Sequence, residues 1–287
     1  MKEWANVSKA ILSFLLTTFL TSVVLILIAS VDKTYLDSRS KLLIIQAISS
    51  LTQSALAGVV ASLLVFKRAL PQFVEKSANI GLFMLAIIGI GVCQPLVSWA
   101  SYVNEMLIAK YNLTWAIDAQ KMNNGLVARL MAFDTPLDWT VSIVVIAILP
   151  AICEEIFFRG VLQRTLIKAT NSVGAAIALS AIFFSLMHFD IAGLLPRIVL
   201  GVMLGLIFYY SGNLWLSILA HAVNNAAVVI MLGVTTDANN TIEKQLSQSA
   251  ENPGPWLPIA SLLLCIYIVY RFKAWNTLTK SNIEEEK

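Results

Sequence analysis

Apolar residues run through this chain in blocks of about 17 to 25, the length a tilted helix needs to cross the hydrocarbon core of a bilayer. Three blocks come first, Ala10 to Val31, Leu42 to Phe66 and Ile80 to Val103. From Asn104 to Asp138 the pattern turns polar while keeping apolar spacing in parts, which predicts an extramembrane loop with a short interfacial helix. Four further blocks follow closely, Trp139 to Leu166, Val173 to Phe189, Ile191 to Tyr210 and Leu214 to Val234. A polar stretch from Thr235 to Pro255 leads to a last block, Trp256 to Phe272, and a charged tail, Lys273 to Lys287. The pattern predicts an all-α, polytopic transmembrane helix bundle of about eight spans. It divides the chain into 1–138 (three spans and the polar loop), 139–234 (four spans) and 235–287 (loop, last span and tail).

Composition agrees with this reading. With 58% hydrophobic and 13% charged residues in 287, the chain is too apolar for a soluble domain of its size. The net charge of +3 is mild and the basic residues are scattered, which excludes a nucleic-acid patch and leaves the lipid bilayer as the general partner. Placing the N-terminus in the cytoplasm puts eleven Lys and Arg on that side against eight on the other, a modest bias toward that orientation, and the short loops and compact size point to a bacterial inner membrane. Cys93, Cys153 and Cys265 lie in apolar blocks without paired spacing and read as packing residues. Gly201 and Gly205 suggest close helix packing, and Asp190 and Arg197 an interfacial ion pair at the start of the sixth span.

The exception to this apolar background is the segment Ile148 to Gly160, which holds Glu154, Glu155 and Arg159 inside the fourth block. Ionisable groups at mid-membrane cost roughly 2.5–3.5 kcal/mol each even on lenient scales and mark functional sites. Glu155 and Arg159 are four apart and pair on one helical face, whereas Glu154 points about 100° away without a local partner. The chain has two histidines, and both lie in apolar blocks: His188, four after Phe184, and His221, four before Asn225. Counted along ideal helices, Glu154 and His188 lie roughly 21 Å from one membrane face and His221 and Asn225 roughly 12 and 18 Å. The four groups therefore fall in one layer, around a polar cavity expected between spans 4, 5 and 7.

Two chemistries fit this set, and both end in hydrolysis. In one, Glu154 and His188 activate water and His221 and Asn225 donate hydrogen bonds to the oxyanion. In the other, His188, His221 and Glu154 ligate zinc, although no HExxH motif is present.

The motifs Glu154-Glu155-x-x-x-Arg159, Phe184-x-x-x-His188 and His221-x-x-x-Asn225, in this order on successive spans, resemble those of the CPBP family. This family, also called Abi or type II CAAX prenyl endopeptidase-like, comprises intramembrane proteases. The resemblance covers about Thr140 to Gly233. It implies a membrane-embedded peptidase in which Glu154 and His188 activate water, His221 and Asn225 hold the oxyanion, and Glu155 and Arg159, with Phe184, support them. It implies a peptide or protein substrate, lipidated or membrane-embedded, and leaves zinc undecided, with no cofactor required in the glutamate mechanism. A second reading is a non-catalytic membrane protein that binds a bacteriocin-like peptide and confers immunity. A carrier is disfavoured, because Pro150 and Pro196, expected to break spans four and six, have no acidic counterparts in the front half.

Overall fold

The computed structural model describes residues 1–31, 38–131, 133, 135–235 and 252–285. It is an all-helical bundle. Among the described residues, seven helices are long and apolar enough to cross a membrane. They are α1 (Lys2–Val31), α2 (Arg39–Phe66), α3 (Ile80–Lys110), α5 (Pro136–Thr170), α7 (Leu194–Ser211), α8 (Leu214–Thr235) and α9 (Trp256–Glu285). Between α3 and α5 lies α4 (Thr114–Leu130), the helix expected in the polar stretch. The block expected to form a fifth span yields only α6 (Val173–Leu186), 14 residues or about 21 Å, short of a full crossing. Of the polar connection expected from Thr235 to Pro255, 236–251 lie outside the described residues. At the other end of that connection, α9 continues past Phe272 into the charged tail.

Large apolar side chains point outward, among them Leu12, Phe19, Met231 and Leu263, as lipid requires. Inside, small residues let backbones approach. A Cβ on Gly201 would stand 3.0 Å from Ala181 Cβ, and one on Gly58 2.8 Å from Ile156 Cγ2. These contacts set α7 against α6 and α2 against α5.

Among the described residues three π-helical turns interrupt the spans, Ser50–Leu56 in α2 and Ile143–Ile148 and Phe158–Gln163 in α5. The second directly precedes Pro150, whose missing N–H would otherwise leave a gap in the hydrogen-bond ladder. Contrary to expectation, neither Pro150 nor Pro196 breaks its span. The helix passes Pro150 through the wider turn, and Pro196 sits in the first turn of α7, where no intrahelical N–H is needed.

The two ends of the bundle are tied differently. At one end, the segment between α2 and α3 is pinned to the α7–α8 turn by Leu214 N–H to Phe73 O (2.7 Å) and Glu75 N–H to Gly212 O (2.9 Å). Arg164 joins the same segment through Gln72 O (2.6 Å) and Glu75 (3.0 Å). At the opposite end, Arg39 holds α2, α4 and α5 together, through Asp138 Oδ1 (2.6 Å), Leu130 O (3.1 Å) and Ser142 Oγ (2.7 Å).

Candidate active site

The segment Leu149–Phe157 is a regular α-helical stretch between two π-helical turns, and it presents Glu154 and Glu155 to the interior. Glu155 is wholly buried and Arg159 is 1% exposed, with Arg159 Nη1 donating to Glu155 Oε1 at 2.7 Å. The second guanidinium branch donates to Gly201 O on α7 at 3.1 Å. The i,i+4 pair read from the sequence therefore forms, and it also locks α5 to α7. Burial of both ions is offset by their mutual attraction and by the bonds to Gly201 O and His221, although Glu155 Oε2 and Arg159 Nε are buried without a hydrogen-bond partner among the described residues.

His221, on α8, is the next link. Its Nδ1 lies 3.0 Å from Glu155 Oε1, and its Nε2 lies 3.8 Å from Glu154 Oε2. An ionised carboxylate only accepts, so Nδ1 carries a proton. Nε2 is then an acceptor in the neutral ring and a donor in the imidazolium. Glu154 itself is 18% exposed and makes no closer polar contact than this one among the described residues.

His188 does not sit on a span. It falls in the turn after α6, where its Nδ1 donates to Phe184 O at 2.9 Å, because a carbonyl can only accept. This fixes the tautomer of the neutral ring and leaves Nε2 as its basic nitrogen. Phe184 packs its ring against three site residues, with His188 at 4.9 Å, Arg159 at 4.9 Å and His221 at 5.8 Å. The guanidinium and both imidazoles are thus oriented by one aromatic side chain. Asn225 is half-buried on α8, and its Oδ1 accepts from Asn224 Nδ2 at 3.3 Å.

Glu154, His188, His221 and Asn225 all line one cavity of about 340 Å³, with Phe184 and Pro150 beside them. It is bounded more widely than by α5, α6 and α8. Gln46 comes from α2, Met131 from the end of α4, and Arg197 and Leu200 from α7. Arg197 forms the pair with Asp190 read from the sequence, and its Nη1 also donates to Asp190 O at 2.9 Å. Asn104 on α3 braces this turn by donating to Ile191 O and Ala192 O, both at 2.9 Å, and accepting from Leu195 N–H at 3.2 Å.

The zinc arrangement does not fit these side chains as they stand. Among the described residues no group of three His, Cys, Asp or Glu is placed to hold a metal ion. Sequence reasoning missed Gln46, Asn224 and Arg197 as cavity residues. Asn224 was visible beside Asn225, Arg197 as the partner of Asp190, and Gln46 as a carboxamide inside an apolar block.

The family model described as type II CAAX prenyl endopeptidase Rce1-like matches residues 136–227. A Bacillus subtilis (strain 168) protein named "Putative membrane peptidase YdiL" is 31% identical over 106 residues. That stretch is 37% of this chain and 42% of the relative, so the likeness spans less than half of either. No solved structure matches. Through residues 136–227, the stretch that carries all three motifs, this chain is similar to the type II CAAX prenyl endopeptidase Rce1-like proteins.

Proposed function

We propose that this chain is an intramembrane endopeptidase that hydrolyses a peptide bond at or within the bilayer through glutamate-activated water. The observation that carries this reading is the convergence of Glu154, His188, His221 and Asn225 on one cavity behind a buried Glu155–Arg159 pair. A water held between Glu154 and the basic Nε2 of His188 gives a proton to Glu154 while its oxygen attacks the carbonyl carbon. The negative charge that develops on the carbonyl oxygen is met by Asn225 Nδ2 and by Nε2–H of His221. Glu154 then passes its proton to the departing amide nitrogen, the C–N bond breaks, and a carboxylic acid and an amine leave, the acid proton passing on to the amine.

This scheme sets a condition on His221. Its Nδ1 proton is committed to Glu155, so it serves an oxyanion only when Nε2 is protonated as well. In that form the two carboxylates are balanced by the imidazolium and Arg159. No step runs through a metal. The substrate is a peptide or protein whose scissile bond reaches the cavity, and its aliphatic wall of Val228, Val229, Leu232 and Met131 suits an apolar side chain or lipid-linked residue beside that bond. The proposed setting is the inner membrane with the N-terminus cytoplasmic.

The test is cleavage of a mixed set of prenylated and plain peptides by the purified, detergent-solubilised protein, with and without a chelator. Cleavage that survives chelation and is lost in His188→Ala supports the scheme. Cleavage abolished by the chelator overturns the metal-free step.

A further inference from the structure

A second cavity, of about 300 Å³, shares Gln46, Glu154 and His188 with the first. Its remaining wall has a different chemistry. The first cavity is closed by Val127, Met131, Ile146, Val228 and Leu232, whereas the second has a polar wall of Ser49, Ser50, Gln53 and Ser54 from α2, with Phe14, Phe158, Met187 and Phe189 completing its lining. Gln46, Ser50 and Ser54 are spaced four apart and form one row on the helix, with Ser49 and Gln53 as a second row. The π-helical turn Ser50–Leu56 sets this surface against the Glu154-bearing part of α5.

Local hydrogen bonding does not account for these side chains. Gln46 Nε2 reaches Ser50 Oγ at 3.5 Å, but among the described residues the side chains of Ser49, Gln53 and Ser54 have no hydrogen-bond partner. In hydrocarbon such groups have to be satisfied by protein or by water. A polar cavity of this volume holds on the order of ten waters at about 30 Å³ each, and its walls offer the two to four partners each water needs. Gln46 is the end of the row nearer the Arg39 face, with buried Leu42 and Leu43 between them. Gln46 is seven residues beyond Arg39, about 10 Å along the helix, and Ser54 eight further on, about 12 Å.

We propose that this cavity is a water-filled path from the Arg39 end of the bundle to Glu154 and His188, kept wet by the Ser and Gln rows of α2. Water enters along the polar wall and the peptide occupies the aliphatic one, with Gln46, common to both cavities, at the partition. The use of this water for hydrolysis rests on the peptidase reading above; the path itself is tested without any substrate.

The experiment is cysteine labelling of the full chain in lipid vesicles. Single cysteines are placed at Ser49, Gln53, Leu51 and Leu56 in a background where Cys93, Cys153 and Cys265 are alanine. Leu51 and Leu56 are on the same turns but 49% and 46% exposed on the outer, lipid-facing surface. The probe is a charged, membrane-impermeant methanethiosulfonate, which reacts with thiolates and hence where water solvates the sulfur. Ser49→Cys and Gln53→Cys are expected to react at least about tenfold faster than Leu51→Cys and Leu56→Cys, the factor one unit of thiol acidity confers. The faster reaction is expected from the side that carries Arg39. Equal or slower labelling at 49 and 53 overturns the path. Ser49→Cys is near-isosteric, so its rate stands even if Gln53→Cys folds poorly. Fast labelling in a protein that cleaves no peptide would leave the water path standing and count against the peptidase reading alone.

Discussion

Arg159→Met replaces a guanidinium that is 1% exposed and 2.7 Å from a carboxylate with no exposure at all. The methionine fills much of the same volume, so the loss is chiefly electrostatic. Leaving one buried partner unpaired costs about 3–5 kcal/mol in known cases. Two local facts adjust that range. Glu155 keeps the Nδ1–H of His221 as a donor, which lowers the penalty, while the lost bond to Gly201 O adds about 0.5–1.5 kcal/mol. A net loss of about 3 kcal/mol is expected, equivalent to a drop in Tm of roughly 6–12 °C for a chain of this size. The double variant Glu155→Gln/Arg159→Met removes both charges and should cost less than the sum of the single changes, because no unpaired ion remains. The assay is thermal unfolding in one detergent, with wild type, both single variants and the double compared. Singles within about 1 kcal/mol of wild type, or strictly additive losses, would refute the claim that this pair supports the site.

Other consequences are equally open to measurement. Asn104→Leu removes three hydrogen bonds around the Asp190 turn, so exchange of the Leu195 amide should accelerate by at least about tenfold, read by hydrogen–deuterium exchange; unchanged exchange would show the brace is dispensable. Gly201→Val forces α7 away from Ala181 and should cost about 1–3 kcal/mol in a melt, whereas Gly91→Ala, with nothing within 4 Å of its added Cβ, should be neutral or mildly stabilising. His221→Ala should lower both Tm and peptide cleavage, the latter by about 10²-fold or more, since it removes the donor to Glu155 together with the group facing Glu154. A variant that lost neither would place His221 outside the site.

Much of this arrangement was legible because membrane insertion makes polar residues conspicuous. Glu155 and Arg159 announced their pairing by spacing alone, and the structure joins them. The depth estimate put Glu154, His188, His221 and Asn225 in one layer, and they line one cavity. What escaped were features set by tertiary contact or local helix geometry. Apolar continuity through Phe189 suggested a fifth span, yet α6 stops at Leu186 and leaves His188 in a turn, held through its own ring to Phe184 O. The π-helical turns have no signature in the hydrophobic period, so Pro150 read as a break and not as a residue the helix accommodates. The Ser and Gln rows of α2 were visible at four-residue spacing, but single hydroxyls are weakly polar and pass within an apolar block. Only their common face toward Glu154 gives them meaning.

The central claim is that Glu154 activates the attacking water, and it is tested most directly by the kcat of Glu154→Gln. The change is near-isosteric, keeps the cavity's shape, and removes the carboxylate's charge and with it the capacity to take a proton. Among the described residues the Glu154 carboxylate makes no closer polar contact than the 3.8 Å to His221, so insertion and Tm should stay near wild type. A fall in kcat of about 10²–10⁴-fold with KM little changed is the expected result. Full activity in a well-folded Glu154→Gln protein would contradict the mechanism.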